Sequence, residues 1–297
     1  MDTPLIVSSL GLLSAIAWGI SDFFAAKSSK SIGPVLTALL VSSISCISFI
    51  ILFGLFFQQS MATLTTSGFI NAAASGFFIS SGVVAFFAGL KIGPVSIVSP
   101  LSSMYPLFTT VIALTLFDAV LSTQQLIGIG LALVGVLVTS EITQSKPGKH
   151  RLGVGPLLAL LTALCWGVGY TLLAQSMKTQ DWQVSSLINY AFSVITLLLL
   201  LPAIKGSEVI NRKTVSRALR NRYVIGTSLV QLIGVGALEI GISKSTASNG
   251  AIVTAISASY PVLTVVLALK HFGEKTKFIP LAGAAIGIAG IVILSLG

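Results

Sequence analysis

Ten apolar blocks of about 20 residues, joined mostly by short polar connections, leave this chain few ways to fold. They run approximately over 5 to 26, 34 to 57, 68 to 90, 94 to 117, 122 to 141, 153 to 177, 183 to 204, 223 to 243, 249 to 270 and 276 to 296. At about 1.5 Å per residue such a block spans a hydrocarbon core of ~30 Å as a helix. Helices of water-soluble domains carry a polar face instead. Only 8% of the 297 residues are charged and the mean hydropathy is +0.99, against about 25% charged in an average soluble domain. A water-facing surface cannot be built from so few charges. The expected fold class is therefore all-α integral membrane, with ten transmembrane helices. The first block has no basic segment before it, so it is expected to be retained rather than cleaved as a leader. Cys46 and Cys165 lie inside apolar blocks without metal or redox spacing and read as packing residues.

The formal charge of +9 does not call for nucleic acid. The basic residues fall almost entirely between blocks, where membrane lipid headgroups are their natural partner. If connections alternate across the bilayer, two of the 17 Lys and Arg, Lys178 and Lys244, lie on one side and the other fifteen on the opposite side. The positive-inside rule makes the basic side cytoplasmic and both termini extracytoplasmic, in the cell membrane. The longest connection, Lys205 to Arg222, reads as a basic amphipathic linker.

The blocks repeat. Trp18-Gly19 recurs as Trp166-Gly167, 148 residues on. Residues 95 to 114 match 250 to 269 with an offset of 155, so that Tyr105-Pro106 recurs as Tyr260-Pro261, and 126 to 138 match 281 to 293 at the same offset. The predicted units are 1–145 and 146–297, of five helices each. An odd number of crossings makes the second unit enter the membrane from the opposite face, giving inverted repeats around a central cavity. Secondary transporters recurrently use this construction, with the substrate site between the halves.

These same segments carry a family resemblance. The AxxWG of the first helix, the LKIGPVSIVSP run, the two SxxYP segments, the FGEK turn at 272 to 275 and the glycine-rich final helices resemble the drug/metabolite transporter superfamily, specifically ten-helix EamA-type transporters. The resemblance implies a bundle around a cavity lined by the first, third, fourth, sixth, eighth and ninth helices, and export of amino acids, metabolites or drugs. Relatives that move nucleotide sugars or lipid-linked sugars leave a lipid or sugar-lipid carrier open, as well as a receptor or scaffold that does not transport. The chain departs from the family where the glutamate of the turn, kept as Glu274, is replaced by Ala119 in the first unit.

Trp18 and Asp22 share a helix face, as do Trp166 and Tyr170, so two matched helices each present an aromatic and a polar group for substrate contact or for packing. Pro106 and Pro261 fall mid-block, where proline removes a hydrogen bond and kinks a helix, and Pro100 predicts a second break. Ser102 and Ser257, three residues before Tyr105 and Tyr260, would bond the freed carbonyls or a ligand. Asp22 and Glu239 are acids inside apolar blocks, each about one turn from the expected helix end, and Gln231 lies deeper in the eighth block. Their roles would be substrate or proton binding, against snorkelling or capping. The substrate-cavity set is then Trp18, Asp22, Ser102, Tyr105, Trp166, Tyr170, Gln231, Glu239, Ser257 and Tyr260. By the two offsets, Asp22 is matched by Tyr170, Glu239 by Val84 and Gln231 by Gly76, which predicts a symmetric scaffold with asymmetric polar groups.

The chain carries no HExxH, GxSxG, Walker A or dinucleotide-binding fingerprint, and its two histidines stand apart. No enzyme activity and no cofactor are expected, and the partner is a small-molecule substrate.

Overall fold

A computed structural model describes residues 3–116, 122–141, 153–201, 212–243, 253, 256–274 and 278–296. Its elements are α1 Thr3–Ile32, α2 Pro34–Phe56, a 3-10 turn at Gln58–Thr63, α3 Thr66–Ile92, α4 Val95–Ser102, α5 Tyr105–Leu116, α6 Thr123–Glu141, α7 Val154–Met177, α8 Trp182–Leu200, α9 Arg212–Leu219, α10 Arg222–Ser243, α11 Pro261–Phe272 and α12 Phe278–Leu296. Among the described residues there is no strand. Six helices are long and apolar enough to cross a membrane: Ser8–Ile32, Pro34–Phe56, Thr66–Ile92, Val154–Met177, Trp182–Leu200 and Arg222–Gly241. Asp118 to Val120, the loop with Lys146 and Lys149, Lys205 and Lys244 lie outside the described residues, so the charge tally is not tested there.

Helix starts follow local chemistry. Thr65 Oγ1 accepts from Gly68 N at the start of α3. Ser122 and Gln125 form a reciprocal capping box before α6, at 2.9 and 3.1 Å. Gly33 stands between α1 and α2 with φ +90°, a conformation only glycine adopts freely, and Pro34 then opens α2. In α9, Ala218 is buried and Val215 packs against the main core, the apolar side of a short basic helix.

Helices pair closely where glycines remove side chains. The most extensive pairings are α6 with α12, α3 with α7, and α1 with α10. At the α6–α12 seam, a Cβ on Gly128 would come within 2.8 Å of the Gly290 carbonyl oxygen, and one on Gly290 within 2.7 Å of the Gly128 carbonyl oxygen. Such backbone contact is how helices associate where burial from water is not the driving force. Gly128 and Gly290 therefore pack α6 against α12 within one chain.

Two more contacts come in matched sets. A Cβ on Gly89 would meet Val98 and Leu158, and one on Gly241 would meet Val253 and Leu10; Gly82 lies under the Trp166 indole as Gly234 lies under that of Trp18. Both sets relate α3 to α10 by 152 positions rather than 155. The register correction matters: Glu239 corresponds to Phe87, which is buried in the main core, and Gln231 to Ile79, in place of Val84 and Gly76. The 155 offset comes from the strongly matched Tyr-Pro segments and does not carry through the preceding helix.

Candidate functional site

The two Tyr-Pro segments build nearly identical joints. The helix breaks after Ser102, and the backbone passes through two 3-10 bonds, Met104 N to Leu101 O at 3.3 Å and Leu107 N to Met104 O at 3.0 Å. The corresponding bonds in the second half are Ser259 N to Ile256 O at 3.1 Å and Val262 N to Ser259 O at 3.0 Å. Pro106 and Pro261 thus sit in the first turn of restarted helices, where a missing N–H costs nothing. They are not kinks within continuous helices. Pro100 makes no break at all: it is inside α4, which runs on to Ser102.

Each joint docks on the other half's tryptophan helix. The Trp18 and Tyr260 rings are 6.4 Å apart, and those of Trp166 and Tyr105 are 6.2 Å apart. Thr264 Oγ1 lies 3.4 Å from the Gly19 carbonyl oxygen and 3.5 Å from that of Tyr260. Thr109 Oγ1 lies 3.3 Å from the Gly167 carbonyl oxygen and 3.2 Å from that of Tyr105. Each threonine hydroxyl thus lies within hydrogen-bond reach of two backbone carbonyls at its joint. The Trp166 indole also donates to Ile79 O at 3.3 Å.

The joints part company one turn along. Asp22 is not near a helix end, because α1 continues ten residues past it to Ile32; Lys27 and Lys30 lie in this last stretch over the Phe272 ring, at 4.8 and 4.0 Å. Asp22 is 5% exposed and its Oδ2 accepts from Ser99 Oγ at 2.5 Å and Thr264 Oγ1 at 3.3 Å. The position matched to Asp22 holds Tyr170, whose ring stacks 4.8 Å from Tyr105. Snorkelling is thereby excluded for Asp22, whose carboxylate is enclosed by hydroxyls from both halves.

Glu239 does lie one turn from the end of α10, yet its carboxylate turns inward, where Oε1 accepts from Ser186 Oγ of α8 at 3.2 Å. Among the described residues, neither Asp22 nor Glu239 forms an ion pair. Gln231 is half-buried on α10 and its amide joins none of these groups. Ser257 Oγ shares a hydrogen bond of 2.8 Å with Ser14 Oγ, whereas buried Ser102 Oγ has no partner among the described residues; it is Ser103 Oγ that donates to the freed Pro100 carbonyl, at 2.8 Å.

Ser99, Thr264 and Ser186 were absent from the sequence-derived set. The recurrence of Thr109 as Thr264 at the 155 offset was the available signal for one of them. Glu274 does more than sit at a turn. Gly273, at φ +61°, reverses the chain after α11, and the Glu274 carboxylate accepts from Val95 N at 2.8 Å and Ser96 N at 3.0 Å. It caps the N-terminus of α4, tying the second half's turn to the first half's broken helix.

The EamA-like transporter family matches residues 5–141 and 153–296, nearly the whole chain. The chain belongs to this family. This EamA-family transporter is 26% identical over 227 residues to an uncharacterized transporter of Archaeoglobus fulgidus, spanning 76% of this chain and 75% of that one. It is 27% identical over 227 residues to a Salmonella typhimurium protein named "probable amino-acid metabolite efflux pump", with 73% and 74% covered. An uncharacterized Methanocaldococcus jannaschii protein matches over 140 residues at 29% identity, which is 98% of that protein and 47% of this one. A solved crystal structure aligns with the EamA-family chain at a TM-score of 0.62 and 16% identity, over 97% of this chain and 95% of that one, which shows a shared fold. The apolar helices and the family together make it a multi-pass membrane transporter.

Proposed function

We propose that this EamA-family protein is a secondary active transporter that exports a small polar or amphipathic metabolite by alternating access. In this reading ten membrane helices form two inverted repeats, 1–145 and 146–297, with both termini outside the cytoplasm. The observation that carries it is the pair of matched joints. Each half ends a helix in 3-10 turns at Tyr-Pro and rests on the other half through a threonine, a glycine and a tryptophan. Discontinuous helices placed between repeats are where secondary transporters bind substrate and rock. The M. jannaschii relative, about as long as one half, supports the division into two units.

Trp18, Tyr105, Trp166, Tyr170 and Tyr260 then line the substrate path, and Asp22, enclosed by hydroxyls at the seam of the halves, takes the coupling proton. The name of the Salmonella relative puts amino-acid metabolites first in a substrate panel. Counterflow into proteoliposomes tests the reading. Trp18→Ala and Tyr260→Phe are expected to reduce flux while expression and thermal stability stay near normal. Unchanged flux in both variants refutes the proposed path, and ligand binding without counterflow by the unmodified protein refutes transport.

A further inference from the structure

Helix α4 is a short rod with a break at each end. Gly93 and Pro94, both extended, separate it from α3, and the 3-10 joint follows Ser102. All eight of its residues are buried, with α1, α7, α11 and α12 packed around it. A helix of this length has few bonds of its own, because its first four N–H and last four C=O groups find no partner within it.

The first four N–H groups of α4 are nevertheless all accounted for. Ile97 N and Val98 N donate to the Pro94 carbonyl oxygen, at 3.1 and 3.0 Å. Pro94 stands at the N-cap, where its side chain has no acceptor to offer. The remaining two, Val95 N and Ser96 N, donate to the two carboxylate oxygens of Glu274, at 2.8 and 3.0 Å. The cap that α4 cannot supply locally thus comes from the other half of the chain.

One turn on, the same helix carries Ser99, whose hydroxyl donates to Asp22 Oδ2 at 2.5 Å. Thr264, on the helix that leads into the Glu274 turn, lies 3.3 Å from that same oxygen. α11 and its turn therefore hold the start of α4 and meet Asp22 beside its middle. The acid and the cap are one-sided together. The position matched to Asp22 holds Tyr170, and the position matched to Glu274 holds Ala119, a residue without an acceptor. By sequence, the joint that lacks the acid lacks the capping carboxylate as well.

We infer that Glu274 is a positioning residue for Asp22: by capping α4 across the seam of the halves, it holds Ser99 at the height where the hydroxyl meets the carboxylate. This rests on the reading that Asp22 takes the coupling proton, and deepens it by naming the residue that sets the acid's surroundings.

Infrared difference spectra between high and low pH, on the full-length protein in lipid vesicles, test it without a substrate. The carboxyl C=O band that disappears in Asp22→Asn belongs to Asp22, and its position reports the hydrogen bonds that the group accepts. Ser99→Ala is expected to move this band to higher wavenumber, as loss of a hydrogen bond to a carboxyl does. Glu274→Gln, which turns an N–H group toward two others, should move it the same way. The double variant should shift it no further than the larger single shift, because both changes act on one hydrogen bond. Glu274→Asp keeps a carboxylate for the cap and should shift the band less than Glu274→Gln. An unmoved band in Glu274→Gln, shifts that add in the double variant, or a larger shift in Glu274→Asp than in Glu274→Gln each overturn the inference. Thermal midpoints of the same variants separate it from the proton reading. If no band disappears in Asp22→Asn, the proton reading fails. Positioning then stands where the midpoint losses of Glu274→Gln and Ser99→Ala are less than additive, and falls where they add.

Discussion

The joint of α11 on α1 and the joint of α5 on α7 are one design with two chemistries. Both place a Tyr-Pro restart against a Trp-Gly helix, and both have a threonine hydroxyl against two backbone carbonyls. Where they differ, the α11–α1 joint has Asp22, Ser99 and a bonded Ser14–Ser257 pair, while the α5–α7 joint has the Tyr105–Tyr170 stack and an unpartnered Ser102. The shared elements are glycine approaches to backbone and one repeated set of Trp, Tyr and Thr side chains, which set how closely the halves approach. The unshared elements are side chains, which set what the joint recognises. Duplication therefore preserves the mechanics and frees the polar groups to diverge.

The largest effect should come from attacking what the joints share. A Cβ on Gly19 would come within 3.0 Å of the Tyr260 carbonyl oxygen, and one on Gly167 within 3.1 Å of that of Tyr105. Gly19→Val and Gly167→Val are each expected to destabilise by about 1–3 kcal/mol or more, since backbone cannot yield as a flexible side chain can. Thermal unfolding in detergent measures this. If only one of the two lowers the midpoint, the joints are not mechanically equivalent.

An intermediate effect should separate the chemistries. Asp22→Asn keeps the shape and an acceptor for Ser99 but loses the charge that hydroxyls from two helices address. A hydrogen bond to a charged group contributes about 1.5–3 kcal/mol, so proton-driven flux is expected to fall about ten- to a hundredfold. Tyr170→Phe at the matched position keeps the 4.8 Å ring stack with Tyr105 and should retain most flux. Flux driven by an imposed pH gradient in proteoliposomes decides between them, and equal losses would dissolve the asymmetry.

Six of the ten apolar blocks are helices long and apolar enough to cross a membrane, because a block of apolar residues bounded by polar ones leaves little choice in a bilayer. The sequence misplaces the end of α1, since hydropathy falls at Lys27 while the helix continues. The aromatic ring of Phe272 takes up Lys27 and Lys30, and only Gly33 stops the helix. That single difference moved Asp22 from a helix end to the seam between the halves. The aromatic pairs Trp18–Tyr260 and Trp166–Tyr105 were legible as repeated motifs, although which ring meets which depends on contacts across the chain. Ser99, Thr264 and Ser186 were not legible as partners of the acids. Serine and threonine recur throughout the chain, and what selects these three is distance in space. The break at Tyr-Pro was legible, but not its form, because proline in a first helical turn and proline mid-helix look alike until the preceding 3-10 bonds are seen.

The smallest effect concerns the two serines that precede the tyrosines. Ser257→Ala leaves buried Ser14 without its 2.8 Å partner, and an orphaned buried hydroxyl costs about 1–3 kcal/mol before the neighbours relax. Ser102 Oγ is already buried without a partner among the described residues, so Ser102→Ala removes a group that makes no bond there and is expected to leave stability unchanged or raise it slightly. The expected order of thermal midpoints is Ser102→Ala at or above the unmodified protein, with Ser257→Ala below both. A clear loss in Ser102→Ala would mean that this hydroxyl is engaged in the membrane-embedded protein, and the contrast between a bonded and an open serine at the two joints would fall.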